Sequence, residues 1–325
     1  MRRLLRVEFV GVLVLIMAVV GGCHTSRNET KRAKTVAFIS NTSSSFWNMM
    51  RRGCERADAE LPNVDVAFKT PYGGTAVEQD RLIQEALKRD NADAIAISPI
   101  DPVNQKRSIN DAAKRSLVIT QDSDAPDSDR LLYIGADNLS AGRQAGALIK
   151  SVLPRGGKIA VFVGKLEVQN AQDRYQGLRE SLEGSTLQIV DLLTDNNDLA
   201  QAKTNAAQTI KKHPDIAGMV GLWYYNGPGI VAAVREARKV GKIKIVCFDD
   251  DEETLEGIKE GAIFATIAQQ PFVYGYQGIQ LLAKILNGDL SVIPESRKII
   301  IPPEIVQQDN VDEYKKRQVQ LISGR

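Results

Sequence analysis

The sequence is poor in the residues on which most enzyme chemistry depends. Only 2 of its 325 residues are histidine and only 3 are cysteine. His24 lies in a polar segment near the amino terminus, and His213 lies in a Lys-His-Pro sequence that indicates a helix end. General-base catalysis by histidine therefore has no candidate.

The common nucleotide, hydrolase and metal-binding motifs are also missing. The loop predicted after the first strand, residues 41–45, reads Asn-Thr-Ser-Ser-Ser, whereas a dinucleotide loop needs glycines so that its backbone can approach the pyrophosphate. The sequence contains no P-loop, no G-x-S-x-G, no C-x-x-C and no H-E-x-x-H. The acidic residues 250–253 start a predicted helix and favour its dipole without any metal. We expect neither a cofactor nor a metal ion.

A surplus of positive charge is missing too. The net charge of +2 comes from 42 Lys and Arg against 40 Asp and Glu, and residues outside the first 22 hold 39 of each. Proteins that neutralise many phosphates usually have a basic surplus or stripe. We therefore expect no nucleic-acid partner.

The amino terminus has the pattern of an export signal. Arg2, Arg3 and Arg6 precede an apolar run at residues 10–20, which predicts a signal peptide over residues 1–22. A membrane anchor is the alternative, although residues 9–23 are fewer than the roughly 20 that a spanning helix needs. Val-Gly-Gly before Cys23 resembles a bacterial lipobox, which implies that Cys23 carries lipid. Residues 23–34 then form a polar tether.

The other two cysteines, Cys54 and Cys247, lie far apart in the chain. We expect them to be buried free thiols in different lobes.

From residue 35 onward, β-branched runs alternate with segments of helical period, which predicts an α/β fold with parallel sheets. Ten strands are too many for one strongly twisted sheet, so we expect two sheets and two lobes. The predicted strands are residues 35–39, 64–69, 94–98, 117–120, 131–134, 158–163, 188–193, 218–222, 243–248 and 262–267.

Ligands of such sheets bind beyond the carboxyl ends of the strands. The loops expected there are residues 40–47, 121–124, 167–174, 223–226 and 249–253, and Gln269 follows the last of these strands.

Six segments in these positions resemble the ribose-binding-protein-like family of periplasmic sugar-binding proteins of ABC transporters. They are VAFIS at 36–40 with Phe46-Trp47, VITQD at 118–122, YIGADN at 133–138, RYQG at 174–177, VCFD at 246–249 and ATIAQ at 265–269. Their order and spacing match the family's βα units over residues 35–310.

The resemblance implies the fold of a type I periplasmic binding protein: two Rossmann-like lobes with parallel sheets, joined by a three-segment hinge. It places the N-terminal lobe in residues 35–136 plus 270–297 and the C-terminal lobe in residues 137–269 plus 298–308. Residues 309–325 are expected to form a C-terminal tail.

The resemblance also implies a sugar site in the cleft. Charged groups and aromatic faces suit a neutral sugar, because its hydroxyls donate and accept hydrogen bonds while its C–H surfaces stack on rings. The residues carried over are Ser44, Phe46, Trp47, Asp122, Arg174, Asp249 and Gln269.

The sequence departs from the family pattern at two places. Ser123 stands where many members have an arginine, and residues 223–228 replace a common Asn-Asp pair with Trp-Tyr-Tyr-Asn-Gly-Pro. We expect Trp223 and Asn226 to act as replacement contacts. Asn197 is expected to bind a hydroxyl where the family has a further aromatic residue.

These inferences predict a lipid-anchored monomer that captures a small sugar or polyol, delivers it to a membrane permease and catalyses no reaction. Its membrane association would depend on lipid alone, in the periplasm or at the cell surface. Two other functions stay open: a sugar-sensing subunit for a membrane receptor, and an exported sugar-modifying enzyme with Asp122 and Asp249 as its acid/base pair.

Lipid attachment requires the thiol of Cys23, so we predict that Cys23→Ser releases the protein from membranes without unfolding the domain. Fractionation followed by circular dichroism of the released protein measures both effects. A Ser variant that stays in the membrane pellet would show that the apolar run is itself the anchor.

Overall fold

The computed structural model describes residues 32–323, which form two six-stranded sheets covered by helices. The predicted signal peptide, the lipidation of Cys23 and most of the tether lie outside the described residues. Within residues 32–323, no helix has both the length and the apolar character that crossing a bilayer requires.

The first sheet is entirely parallel, and the second is parallel except for one edge strand. The strands are β1 Lys34–Ile39, β2 Val64–Lys69, β3 Ala94–Ile97, β4 Leu117–Gln121, β5 Tyr133–Gly135, β6 Gly157–Val163, β7 Leu187–Thr194, β8 Ile216–Gly221, β9 Lys244–Phe248, β10 Ala265–Ala268, β11 Lys298–Ile300 and β12 Glu304–Val306. Their order is β11-β5-β4-β3-β1-β2 in the first sheet and β12-β10-β9-β8-β6-β7 in the second.

Ten α-helices within residues 32–323 connect and cover these strands. They are α1 Ser45–Glu60, α2 Ala76–Lys88, α3 Lys106–Ala113, α4 Asn138–Val152, α5 Gln169–Leu182, α6 Leu199–Lys212, α7 Asn226–Glu236, α8 Glu252–Lys259, α9 Pro271–Leu286 and α10 Val311–Ser323.

Both sheets are buried on their two faces, which explains the continuous apolar runs of their strands. All four residues of β3, for example, are alanine or isoleucine and are buried. Cys54 and Cys247 are buried free thiols in the cores of different lobes, as predicted.

The chain crosses between the sheets three times: after β5, after β10 and after β11. The third crossing corrects the predicted boundary at residue 297, because Lys298–Ile300 pairs with β5 in the first lobe. This third change of lobe takes place at Pro302-Pro303, between β11 and β12. Strands of three residues beside two prolines are too short to show the pattern of apolar and polar residues by which a strand is recognised in the sequence.

The helical period of the sequence predicts helices over residues 141–153, 229–240 and 275–287, and the corresponding helices α4, α7 and α9 begin three or four residues earlier in the structure. Helix α9 starts at Pro271, four residues before the predicted start, because proline fits the first helical turn, where its missing N–H is not needed. Helix α7 begins at Asn226 and includes Pro228 in its first turn. The segment predicted as a tail contains α10, whose Tyr314 is buried in the core of the second lobe.

Glycines allow one helix pair in each lobe to pack closely. A Cβ atom at Gly142 of α4 would lie 2.2 Å from the carbonyl oxygen of Arg174, and one at Gly177 of α5 would lie 2.0 Å from that of Leu139. In the first lobe, Gly53 of α1 likewise lies so close to the backbone of α9 that a Cβ atom would not fit. The backbone of Arg174 is thus fixed by direct contact between α4 and α5.

We predict that Gly177→Ala lowers the free energy of unfolding by about 1–3 kcal/mol, because the new methyl group meets backbone that cannot move aside. Chemical denaturation measures the loss. Gly257→Ala in α8 is the matched control, since its Cβ would meet side-chain atoms and no backbone, the nearest being Cδ1 and Cγ1 of Ile263 at 2.9 and 3.1 Å. Equal stability of the two variants would contradict this account of the α4–α5 contact.

Candidate functional site

A cavity of about 380 Å³ lies where the carboxyl ends of strands from the two sheets face each other. Eight of the ten residues predicted from the sequence line it: Ser44, Phe46, Trp47, Asp122, Arg174, Trp223, Asp249 and Gln269.

Asp122 enters the cavity from the first lobe, directly after β4. Its Oδ2 accepts hydrogen bonds from Ser98 Oγ at 2.9 Å and from Asn170 Nδ2 of the second lobe at 3.3 Å. Its backbone φ is +63°, a left-handed conformation that aspartate adopts more readily than most residues. Burial raises the pKa of Asp122 to about 6, and the positive charge of Arg174 opposes this shift.

Asp249 enters from the second lobe, directly after β9. Its Oδ1 accepts from the backbone N–H of Gln269 at 3.3 Å and from Gln269 Nε2 at 2.9 Å. Its φ is +67°, so both aspartates hold the same uncommon backbone conformation. Burial again raises the pKa to about 6, with Arg174 lowering it and Asp122 raising it further.

Arg174 of α5 is only 1% exposed, and its guanidinium is held on three sides. Nε donates to Asn138 Oδ1 at 2.9 Å, Nη1 donates to the carbonyl of Leu222 at 2.7 Å, and the group stacks 4.4 Å from the ring centre of Phe248. Nη2 has no hydrogen-bond partner among residues 32–323. A buried donor without a partner is unfavourable, so Nη2 is available to a ligand.

Aromatic side chains from both lobes cover the cavity. Phe46 and Trp47 pack edge to face at 5.2 Å in the first turn of α1, where Ser44 caps the helix by accepting from the backbone N–H of Trp47. Tyr224 and Tyr225 make the same kind of contact at 5.2 Å in the second lobe. Rings on two sides give the cavity apolar walls between its charged groups.

Asn226 and Asn197, the two other predicted contacts, are not among the lining residues. Both amide ends of Asn226 bind protein: Oδ1 accepts from the backbone N–H of Trp223 and Nδ2 donates to Asp195, each at 2.9 Å. The backbone N–H of Asn197 also donates to Asp195, at 3.1 Å, and the Tyr225 hydroxyl donates to the same carboxylate. Asp195 thus holds Tyr225, Asn226 and Asn197 in place. Ligand binding by the two asparagines stays a prediction.

Five lining residues were not singled out in the sequence, although all lie in the predicted loops: Asn41, Thr42, Asn170, Tyr224 and Tyr225. Asn170 had a usable signal, because it precedes Arg174 by four residues and so shares its face of α5. Within residues 32–323, no cluster of three or more His, Cys, Asp or Glu side chains could hold a metal ion.

Known proteins share this architecture. The D-allose-binding periplasmic protein of Escherichia coli (strain K12) is 25% identical over 272 residues, which cover 80% of this chain and 87% of that protein. A solute-binding protein of an ABC transporter from Burkholderia graminis, solved in complex with D-arabinose, is 26% identical with a TM-score of 0.82. The match covers 87% of this chain and 98% of that structure.

A glucose-galactose binding protein from Geobacillus stearothermophilus gives a TM-score of 0.81 at 25% identity, covering 86% of this chain and 99% of that one. These matches confirm the fold of two α/β lobes and the resemblance read from the six sequence segments. Residues 36–290 match the family model described as periplasmic binding protein domain, and the chain belongs to that family.

Proposed function

We propose that this protein is the substrate-binding lipoprotein of an ABC transporter and captures a small sugar in the cavity for uptake. The observation that carries the proposal is the placing of Asp122, Asp249 and Arg174 around one cavity with aromatic walls. Carboxylates accept from sugar hydroxyls, a guanidinium donates to them, and rings cover the C–H faces of the sugar.

The relatives support the same class of ligand, since their names refer to ribose, allose, arabinose and other monosaccharides. We propose a pentose, hexose or polyol, and the eight lining residues predicted from the sequence as its contacts.

Hydrogen bonds between the two lobes support a closing motion. Asn170 of the second lobe donates to Asp122 of the first, and Lys165 Nζ donates to the carbonyl oxygen of Gly74 at 2.8 Å. A ligand that touches both lobes binds the closed state more tightly and so shifts the population toward it. The three chain crossings would then act as the hinge.

Membership of a periplasmic binding protein family implies an exported protein. Attachment through lipid on Cys23 is part of our proposal, and it would keep the protein beside its permease. The family's proteins bind rather than transform their ligands, and we propose the same for this chain. Mass spectrometry of a sugar after long incubation separates binding from the enzymatic alternative, because a changed mass would favour catalysis.

A sugar-sensing role with a membrane receptor would use the same cavity. The gene neighbourhood separates the two roles: genes for a permease and an ATPase beside this one would favour transport, and a gene for a receptor kinase would favour sensing.

We predict that Asp249→Asn weakens the tightest-binding sugar at least tenfold at pH 7.5, because a neutral amide replaces a charge-assisted acceptor in a buried site. Asparagine also tolerates the left-handed φ of this position, so the fold should persist. Calorimetry measures the affinity. Glu252→Gln, three residues away and exposed, is the control, and equal affinities of the two variants would remove Asp249 from the site.

The same substitution should reveal the shifted pKa of Asp249 in the unliganded protein. The carboxyl's pKa is about 6 in the folded state and 3.8 as its ordinary value, so its ionisation disfavours folding as pH rises. We predict that the stability of Asp249→Asn relative to wild type is greater at pH 7.5 than at pH 5 by on the order of 1 kcal/mol. A difference that does not change with pH would show that Asp249 ionises normally.

A further inference from the structure

The lining of the cavity carries more negative than positive charge. Asp122 and Asp249 contribute two carboxyl groups, whereas Arg174 is the one basic side chain among the described lining residues. At position 123, directly after Asp122, the chain has a buried serine. Lys165 lies outside the lining and donates to the Gly74 carbonyl oxygen.

The guanidinium of Arg174 is largely committed to the protein, since it donates to Asn138 and Leu222 and stacks on Phe248. It makes no ion pair within 4.0 Å with either aspartate among residues 32–323. The two carboxylates are therefore compensated by a single cation at a distance, and burial raises the pKa of both to about 6. A second positive charge in the cavity would stabilise their ionised forms.

The hydrogen-bonding groups that the protein leaves open in the cavity are mostly acceptors. Asn170 Oδ1 and Gln269 Oε1 are buried and have no partner among residues 32–323, and their side chains are 5% and 2% exposed. Each aspartate also binds protein through one oxygen only, which leaves Oδ1 of Asp122 and Oδ2 of Asp249 to a ligand. Among the buried atoms without a partner, the donors are Arg174 Nη2 and Trp223 Nε1, while the hydroxyl groups of Thr42, Ser44 and Tyr224 in the lining can donate or accept. A ligand that donates more hydrogen bonds than it accepts matches the unpaired carboxylate and amide oxygens best.

The walls of the cavity are also suited to a cation. Five aromatic side chains line it, and the faces of such rings attract cationic groups through their quadrupoles. The aromatic residues are Phe46, Trp47, Trp223, Tyr224 and Tyr225.

We propose that the cavity prefers a monosaccharide or polyol carrying a protonated amine over its neutral counterpart. An ammonium group donates three hydrogen bonds, accepts none and supplies the positive charge that the lining lacks. The remaining hydroxyls of the ligand can accept from Arg174 Nη2 and Trp223 Nε1. This inference rests on the proposed function and specifies its ligand.

Calorimetry at pH 7.0 with matched ligands tests the inference. The panel consists of ribose, allose, arabinose, glucose, galactose and ribitol, their amino-deoxy counterparts substituted in turn at each hydroxyl-bearing carbon except the anomeric one, and the N-acetylated form of each amine, which lacks the charge. We expect at least one amine to bind ten times more tightly than every neutral ligand of the panel. Neutral ligands that bind as tightly as all the amines would overturn the inference while leaving sugar capture in place. Failure of every ligand to bind would overturn sugar capture and the inference with it.

Variants test whether the preference for an amine comes from the two carboxylates. Asp122→Asn and Asp249→Asn each remove one negative charge while keeping shape, so each should reduce the ratio of amine to neutral affinity at least tenfold. Glu252→Gln, which removes an exposed charge outside the cavity, should leave the ratio unchanged. If the ratio stays the same in both aspartate variants, the preference does not come from the charge of the lining and the inference is wrong.

Discussion

The burial of two carboxylates and one guanidinium around a single cavity is the constraint on which the rest of the structure depends. Asp122 and Asp249 follow strands of different sheets, so they meet only if the carboxyl ends of the two sheets face each other. Buried charges are unfavourable unless polar groups surround them. Ser98, Asn170, Gln269 and Arg174 supply that surrounding from both lobes.

The site lowers the stability of the unliganded protein because several of its polar groups have no partner until a ligand binds. Both aspartates hold a left-handed backbone, and the pKa of each is raised because burial disfavours the charged form and Arg174 offsets this only in part. Strain and unsatisfied groups of this kind are tolerated where the surrounding structure is rigid. The close α4–α5 contact at Gly142 and Gly177 provides that rigidity for Arg174.

Much of the fold could be predicted from the sequence, because parallel strands buried on both faces read as short apolar runs between helical segments. Strands β11 and β12 could not, since three residues on either side of Pro302-Pro303 show no period. Helix α9 was predicted to begin late because its proline lies in the first turn, where proline is favoured.

Site residues could be predicted where the position of a residue along a strand determines the direction of its side chain. Asp122 and Asp249 stand at strand ends, which place them in the cavity. The direction of an amide side chain depends instead on its tertiary partners. Asn226 donates through Nδ2 to Asp195 and accepts through Oδ1 from the backbone N–H of Trp223. No feature of the local sequence indicates the contact with Asp195.

The most direct test of the central claim is a crystal structure of the protein with the tightest-binding sugar found by calorimetry. We predict a sugar ring between the two aromatic walls, with ligand polar atoms within about 3.2 Å of Asp122 Oδ1, Asp249 Oδ2 and Arg174 Nη2. A sugar bound outside this cavity, or bound within it beyond hydrogen-bond distance of both carboxylates, would contradict the account.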